Sequence, residues 1–432
     1  MKRNAIEHLI KWKSSSARKP LVIRGARQVG KTWLMKEFGN RYYKKIAYVN
    51  FESSQSLKQL FLKDFDIKRI ITAIEIETGV TVDDTQTLII LDEIQEVERG
   101  ITSLKYFCEK APQFHVLAAG SLLGISLHKN TSFPVGKVEF LDLYPLVFTE
   151  FLEAAGHSGL ANLIKNNDWE LIKTFREKFV ELVKHYYFTG GMPEAVLEYI
   201  ESTNFEKIRN IQNNILTGYE QDFSKYASPS TAQRIKQLWD SIPAQLAKEN
   251  KKFIYGAVKK GARAKDFEIA LSWLFNSGIV YKVHRIKKPG LPLKAYEDFS
   301  AFKLFLMDTG LLGAMSNLSA KAIIDGNRIF EEFKGALTEQ YVLQQLMVRY
   351  RSGVYYWSSE RSSGEIDFIV QDDDVVIPLE VKAEENLKAK SLKAFAQKYP
   401  ETKAVRVSMS DYRIEKVIVN LPLFALEAPK WF

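Results

Sequence analysis

The 432 residues exceed what one hydrophobic core usually holds and point to about two to four domains. An apolar fraction of 46% with 26% charged residues excludes a disordered or fibrous chain, and a single cysteine, Cys108, excludes an internal disulfide. No apolar run of signal or membrane-span length occurs, so a cytoplasmic protein without a membrane partner is expected, with Cys108 a core residue. The formal charge of +9 is local: eleven Lys and Arg fall between Lys251 and Lys294 against only Asp266 and Glu268. The rest of the chain is close to neutral, which makes that segment a basic patch rather than part of a general bias.

In chain order, a short helix over residues 4 to 13 precedes a strand that ends in Arg24, and then comes Gly25-Ala26-Arg27-Gln28-Val29-Gly30-Lys31-Thr32-Trp33. This satisfies G-x-x-x-x-G-K-[ST] between a strand and a helix. A loop of that length turns backbone N–H groups around a β-phosphate, and the following helix adds its positive end. Lys31 then reaches the outer phosphates and Thr32 offers a hydroxyl to Mg2+, so ATP and Mg2+ are the expected cofactors. Arg27 is either a further γ-phosphate contact or an exposed ion pair.

Trp33 to Phe38 continue the helix, Ile46 to Phe51 read as a strand, and helical spacing returns across 56 to 77. Thr87 to Glu93 is an unbroken apolar strand tipped by two carboxylates, as in a parallel strand buried on both faces. Asp92 would hold the metal and Glu93 would orient or deprotonate the attacking water. After a helix around 100 to 110, the strand Phe114 to Ser121 ends in a hydroxyl that either senses the γ-phosphate or caps a turn.

This order, with Arg24 to Thr32, Leu91-Asp92-Glu93-Ile94-Gln95 and Gly190-Gly191-Met192-Pro193-Glu194-Ala195, resembles the AAA+ ATPases and specifically the AAA_14/DUF4143 family of prokaryotic ATPases. The resemblance spans essentially the whole chain. It implies an α/β fold: a P-loop AAA+ parallel sheet core over 1–155 and a helical lid over 156–230. A winged-helix-like domain over 231–312 and a restriction-endonuclease-like α/β domain over 313–432 follow, and a homo-oligomer is allowed. Phe133 to Val138 and Leu143 to Phe151 are also similar to that family, although Lys137 stands where many relatives carry Arg, whose planar fork Lys does not reproduce.

Helices are expected at 175 to 187, 205 to 222 and 231 to 248, with a break at Gly190-Gly191. Phe253 to Ile286 reads as helix, turn, helix and strand, closed by Lys287-Lys288-Pro289-Gly290, a winged-helix arrangement coinciding with the basic segment 251–294. DNA-phosphate contact and a solvated basic face stand level there.

A helix from Phe330 carries Glu339, and strands follow at Tyr355 to Trp357, Gly364 to Val370 and Val375 to Lys382. A last helix, Leu387 to Lys398, and a strand, Ala404 to Ser408, close the chain. Residues two apart on a strand share a face, so Glu380 and Lys382 point the same way, with Asp367 on the partner strand. Asp367, then Glu380-x-Lys382, with Glu339 as a helical acid, resembles the PD-(D/E)XK nuclease core. The resemblance implies Asp367 and Glu380 as ligands of a divalent metal, Lys382 as a catalytic cation, and DNA as a partner of this domain. Pro378 is an awkward residue for a central strand. Three readings remain: an ATPase controlling DNA engagement, a metal-dependent nuclease with ATP as its switch, and a nucleotide-gated module whose nuclease-like fold only binds.

Overall fold

The computed structural model describes residues 1–63, 65–121, 134–248, 251–326, 331–350, 352–359, 364–383 and 389–432; Phe133, Phe330 and Leu387, named above, lie outside them. The chain forms two compact units, one of residues 3–144 with 276–278, the other of 1–2, 145–275 and 279–432. Among the described residues no helix is long and apolar enough to cross a membrane.

The first unit is built on five parallel strands, β1 (Leu21–Arg24), β2 (Lys45–Asn50), β3 (Thr87–Asp92), β4 (His115–Ala119) and β5 (Glu139–Asp142), in the order β2-β3-β4-β1-β5. Helices cover this sheet, so its central strands are buried along their whole length and apolar between Thr87, Asp92 and His115 at their ends: Ile89, Leu91 and Val116 pack with Phe51, Phe61, Leu104 and Phe107. β5 pairs with β1 over four residues and was not anticipated, because a four-residue run with acids at both ends, Glu139 and Asp142, lacks a strand pattern. Glu93, read as the end of β3, leaves the strand instead. Its φ of +51° starts the single turn Ile94–Glu96, and its N–H bonds back to Asp92 Oδ1 at 3.1 Å. Cys108 is only partly buried on the helix Gly100–Lys110 and is not a core residue.

The second unit contains the helices Arg176–Thr189, Pro193–Ser202, Phe205–Tyr226 and Pro229–Leu246, followed by Ala264–Asn276, which ends where the chain passes to the first unit. An eight-stranded mixed sheet completes it, with strands β6 (Val280–Ile286), β7 (Glu297–Leu306), β8 (Val354–Ser358), β9 (Glu365–Asp372), β10 (Val375–Val381), β11 (Ala404–Ser408), β12 (Arg413–Glu415) and β13 (Ile418–Pro422). Their order is β12-β13-β11-β10-β9-β8-β6-β7. The β6–β7 hairpin of the basic segment does not form a sheet of its own, since β6 also pairs in parallel with β8. Pro378 sits inside β10, where the parallel pairing to β11 begins only at Leu379.

The Gly190-Gly191 break acquires a physical reason here. Asp308, fully buried, accepts from Gly191 N at 2.6 Å, from Leu311 N at 3.0 Å and from Gln344 Nε2 at 3.1 Å. Gly190 has a φ of +71°, and a Cβ on it would lie 2.2 Å from Asp308 Oδ1. A Cβ on Gly191 would lie 2.1 Å from the Leu146 carbonyl, a backbone atom that cannot swing aside. The motif is therefore a junction in which two backbone segments and one buried carboxylate meet. Gly191→Ala is expected to destabilise the chain by about 1–3 kcal/mol, the usual cost of overpacking, read as a lowered midpoint in thermal or urea unfolding; an unchanged midpoint contradicts the account.

Candidate functional site

Sequence dictates the first cluster through the turn after β1. Gly25, at φ +152°, lies so close to the Leu143 carbonyl that an added Cβ would sit 2.3 Å from it, while Gln28 and Gly30 take φ of +67° and +92°. Gly30 is the N-cap of the helix Lys31–Tyr42, and no side chain caps that end. Its first N–H groups are therefore donors without a side-chain acceptor, as an anion requires. Behind the loop Arg3, 4% exposed, donates to Val29 O at 3.2 Å and to Tyr144 O at 2.7 Å. Trp33 and Gln28 are exposed at the rim.

Lys31 Nζ donates to the loop carbonyls of Gly25 at 2.9 Å and Ala26 at 2.8 Å. Burial pushes its pKa down to about 8; Glu93 and Asp92 partly restore the charge and Arg27 opposes it. One residue on, Thr32 Oγ1 donates to Asp92 Oδ2 at 2.6 Å. That oxygen also accepts from Tyr48 OH at 3.0 Å, and burial beside Asp92 pushes the Tyr48 hydroxyl up. Glu93 Oε2 accepts from Gln95 Nε2 at 2.5 Å and from Ser121 Oγ at 3.2 Å.

Gly25 to Trp33, Asp92, Glu93 and Ser121 thus come together at the carboxyl ends of β1, β3 and β4, where parallel strands deliver ligands. The oxygen donors Thr32 and Asp92 are of the hard type that Mg2+ takes, and the uncapped helix end and Lys31 suit a triphosphate. Lys137 stays outside this group: it is partly exposed and pairs with Glu109 at 3.0 Å, which raises its pKa. Arg3, Tyr48 and Gln95 escaped the sequence reading. For Tyr48 a signal existed, since strand alternation puts it on one face with Asn50, whose register partner is Asp92.

A second cluster lies in the other unit. Asp367 Oδ2 accepts from Val381 N at 2.7 Å; burial and then the neighbouring Glu339 push its carboxyl up to about 7, against Lys303 and Lys251. Glu380 pairs with Lys382 at 2.7 Å and accepts from Leu392 N at 3.2 Å. Glu339, on the helix Glu331–Arg349, pairs with Lys251 and lies 4.0 Å from Lys303, which also pairs with Glu365. Burial pushes the Glu339 carboxyl up, but Lys251, Lys303 and Lys382 outweigh it and the net direction is down. Among the described residues no three His, Cys, Asp or Glu side chains are grouped so as to hold a metal. Lys251 and Lys303 were not anticipated here: neither belongs to the D…ExK pattern, and Lys251 was counted only as part of the basic segment.

Residues 17–152 match the AAA domain family, residues 180–322 a domain of unknown function (DUF8612) and residues 334–426 a domain of unknown function (DUF4143). Among solved structures the chain is similar to a Walker-type ATPase of Pyrococcus abyssi, at 13% identity over 73% of this chain and 95% of that one with a TM-score of 0.45. It is also similar to the Aeropyrum pernix Orc1 protein in complex with DNA, at 12% identity, 73% and 91% coverage and a TM-score of 0.27. A RuvB variant of Thermotoga maritima shows 13% identity, 65% and 89% coverage and a TM-score of 0.29. No curated protein matches the sequence.

The state of Lys31 gives a measurable consequence. Its pKa in the free chain is below the ordinary lysine value, so near pH 8 a share of the chains carries it neutral. Phosphate oxygens favour the charged form and raise that pKa, so binding a nucleoside triphosphate takes up a fraction of a proton at about pH 8 to 9 and none at about pH 6. Calorimetry in two buffers of different ionisation enthalpy reads this uptake, and Lys31→Met is expected to remove it along with most of the affinity. An uptake that does not depend on pH contradicts the assignment.

Proposed function

As an AAA-type protein of the AAA_14/DUF4143 kind, the chain has the fold of a P-loop ATPase, and we propose that it binds ATP with Mg2+ at Gly25 to Trp33 and hydrolyses it. The observation that carries the reading is the 2.6 Å hydrogen bond from Thr32 to Asp92 beside the buried, carbonyl-bound Lys31. A helix N-terminus, a lysine and a hydroxyl–carboxylate pair converge within one cradle, and this is a donor set for a triphosphate and its cation. Bound there, Mg2+ would neutralise charge developing on the phosphates. Lys31 exchanges its two loop carbonyls for phosphate oxygens and balances their charge. The loop N–H groups and the end of the helix Lys31–Tyr42 orient the β-phosphate. Glu93, held by Gln95 and Ser121, accepts the proton of the attacking water, and Ser121 fixes which way that carboxylate faces.

On this reading Lys31→Ala abolishes nucleotide binding. Glu93→Gln retains binding and slows phosphate release on the order of 10²–10⁴-fold, the usual worth of a general base. Fluorescent-nucleotide titration and a phosphate-release assay separate the two, and unchanged turnover in both variants ends the proposal.

We infer further that nucleotide state governs DNA engagement through the basic segment. Some of its eleven cations have partners within the chain: Lys251 pairs with Glu339, Lys282 lies over the Phe302 ring at 4.4 Å, Arg285 pairs with Asp298 and Lys288 lies over the Tyr296 ring at 4.5 Å. Lys252, Lys259, Lys260, Arg263, Lys265, Lys287, Lys288 and Lys294 are exposed, as is the nearby Phe299 at 75%. Solvated cations with an exposed ring suit phosphate contact without base reading. Replacing Lys287 and Lys288 by Ala should weaken duplex DNA binding across sequences and lower the log–log salt slope by about one per lysine, measured by fluorescence anisotropy. No binding by the parent chain, or a slope unmoved by the variant, counts against DNA as the partner.

A further inference from the structure

Glu339, Glu365, Asp367 and Glu380 bring four carboxylates to one region of the eight-stranded sheet and its flanking helix Glu331–Arg349, and three lysines are laid against them. Lys251 Nζ pairs with Glu339 Oε1. Lys303, whose side chain is 0% exposed, pairs with Glu365 and lies 4.0 Å from Glu339 Oε2. Lys382 Nζ lies 2.7 Å from Glu380 Oε1, whose other oxygen accepts from Leu392 N. Asp367 gives one oxygen to Val381 N.

A divalent cation of the Mg2+ type needs about six oxygen ligands in near-octahedral array. Most of the oxygens that a D…ExK site would offer are already held by ammonium or amide donors, and Glu339 Oε2 is the one buried carboxylate oxygen of the group without a hydrogen-bond partner. A dication placed there would also stand against two buried ammonium groups, a repulsion that low local polarity strengthens. The residues present do not fit a metal in this arrangement.

We propose that Lys251 and Lys303 stand where a divalent metal would stand in this carboxylate cluster, so that the C-terminal domain keeps its charges balanced by its own lysines, and that Lys251 is the removable member. Lys303 is sealed inside β7 and shared between two carboxylates. Lys251 lies between the helices Pro229–Leu246 and Tyr255–Val258, has a side chain 12% exposed, and bonds Glu339. Taking its ammonium away frees Glu339 Oε1 beside Oε2, which has no hydrogen bond, and removes one of the two buried charges repelling a cation. The inference is independent of the nucleotide site, and its test uses the nucleotide-free full chain.

The probe is Mn2+, followed by titration calorimetry and by the electron paramagnetic resonance of the free ion. The parent chain is expected to show no Mn2+ binding that depends on Asp367. Lys251→Met, which keeps the apolar stem and drops the charge, is expected to gain a single Mn2+ at least about tenfold tighter than any binding by the parent, and adding Asp367→Asn should remove it. Mn2+ binding by the parent chain that Asp367→Asn abolishes overturns the proposal, as does a folded Lys251→Met chain that gains nothing. Should circular dichroism show Lys251→Met unfolded, the comparison of parent with Asp367→Asn decides: Asp367-dependent binding overturns the proposal and its absence supports it.

Discussion

The nucleotide cradle depends on a single carboxylate at the end of a fully buried strand. Asp92 accepts Thr32, Tyr48 and the N–H of Glu93, and so ties the helix after the P-loop, the edge strand β2 and the turn after β3 to one point. Strand order makes this tie necessary. β4 lies between β1 and β3, so the ends of the two strands that carry the loop and Asp92 are two strand spacings apart, about 10 Å. The helix Lys31–Tyr42 must lean across that gap for its second residue to meet β3. The same order places Ser121, which follows the intervening strand, against Glu93 rather than against the loop. A residue that is distant in sequence becomes the side wall of the carboxylate it supports.

How much of this was legible follows from which interactions are local. The P-loop is encoded within a dozen residues, because Gly25 and Gly30 are required by backbone geometry and Lys31 and Thr32 by their place at a helix start; the apolar run of β3 is equally local. What escaped is non-local. Nothing in the run from Glu139 to Asp142 announces a strand, since β5 exists through its pairing with β1. Glu93 reads as a strand tip because φ is invisible in a list of residues, and the turn it makes is what brings Gln95 back to its carboxylate. Gly190-Gly191 was legible as a break, but not as a close fit around Asp308, which lies more than a hundred residues away.

The C-terminal pattern shows the opposite limit. Asp367 and Glu380 fall on the strands their alternation assigned them, Lys382 lies one residue past the end of β10, and Glu339 falls on its helix. Spacing alone cannot say what neutralises those acids. Lys303 arrives from β7 and Lys251 from a connection between helices, so the sequence signature of a metal-dependent site and of a lysine-balanced one is identical along β9 and β10. The count of eleven cations in the basic segment carries the same ambiguity: Lys251, Lys282 and Arg285 are half-buried against partners of the chain itself, and the remaining eight are exposed.

The two clusters can therefore be told apart by what each leaves unsatisfied. In the first, a lysine is buried against two neutral carbonyls, its charge is disfavoured, and the helix end beside it has no side-chain cap. Those groups favour an anion, and an incoming triphosphate would relieve a cost already present in the free chain. In the second, burial pushes the Lys303 pKa down, but the surrounding Glu339, Glu365 and Asp367 outweigh it and the net direction is up, while the lysines together hold Glu339 below the usual carboxylate range. Desolvated charges that are paired this closely are costly to separate, since removing either partner leaves the other buried alone. The energetic incentive to bind a small charged ligand thus lies at the P-loop, while the C-terminal cluster, with its acids already paired, gains nothing from a metal until one of its own lysines is withdrawn.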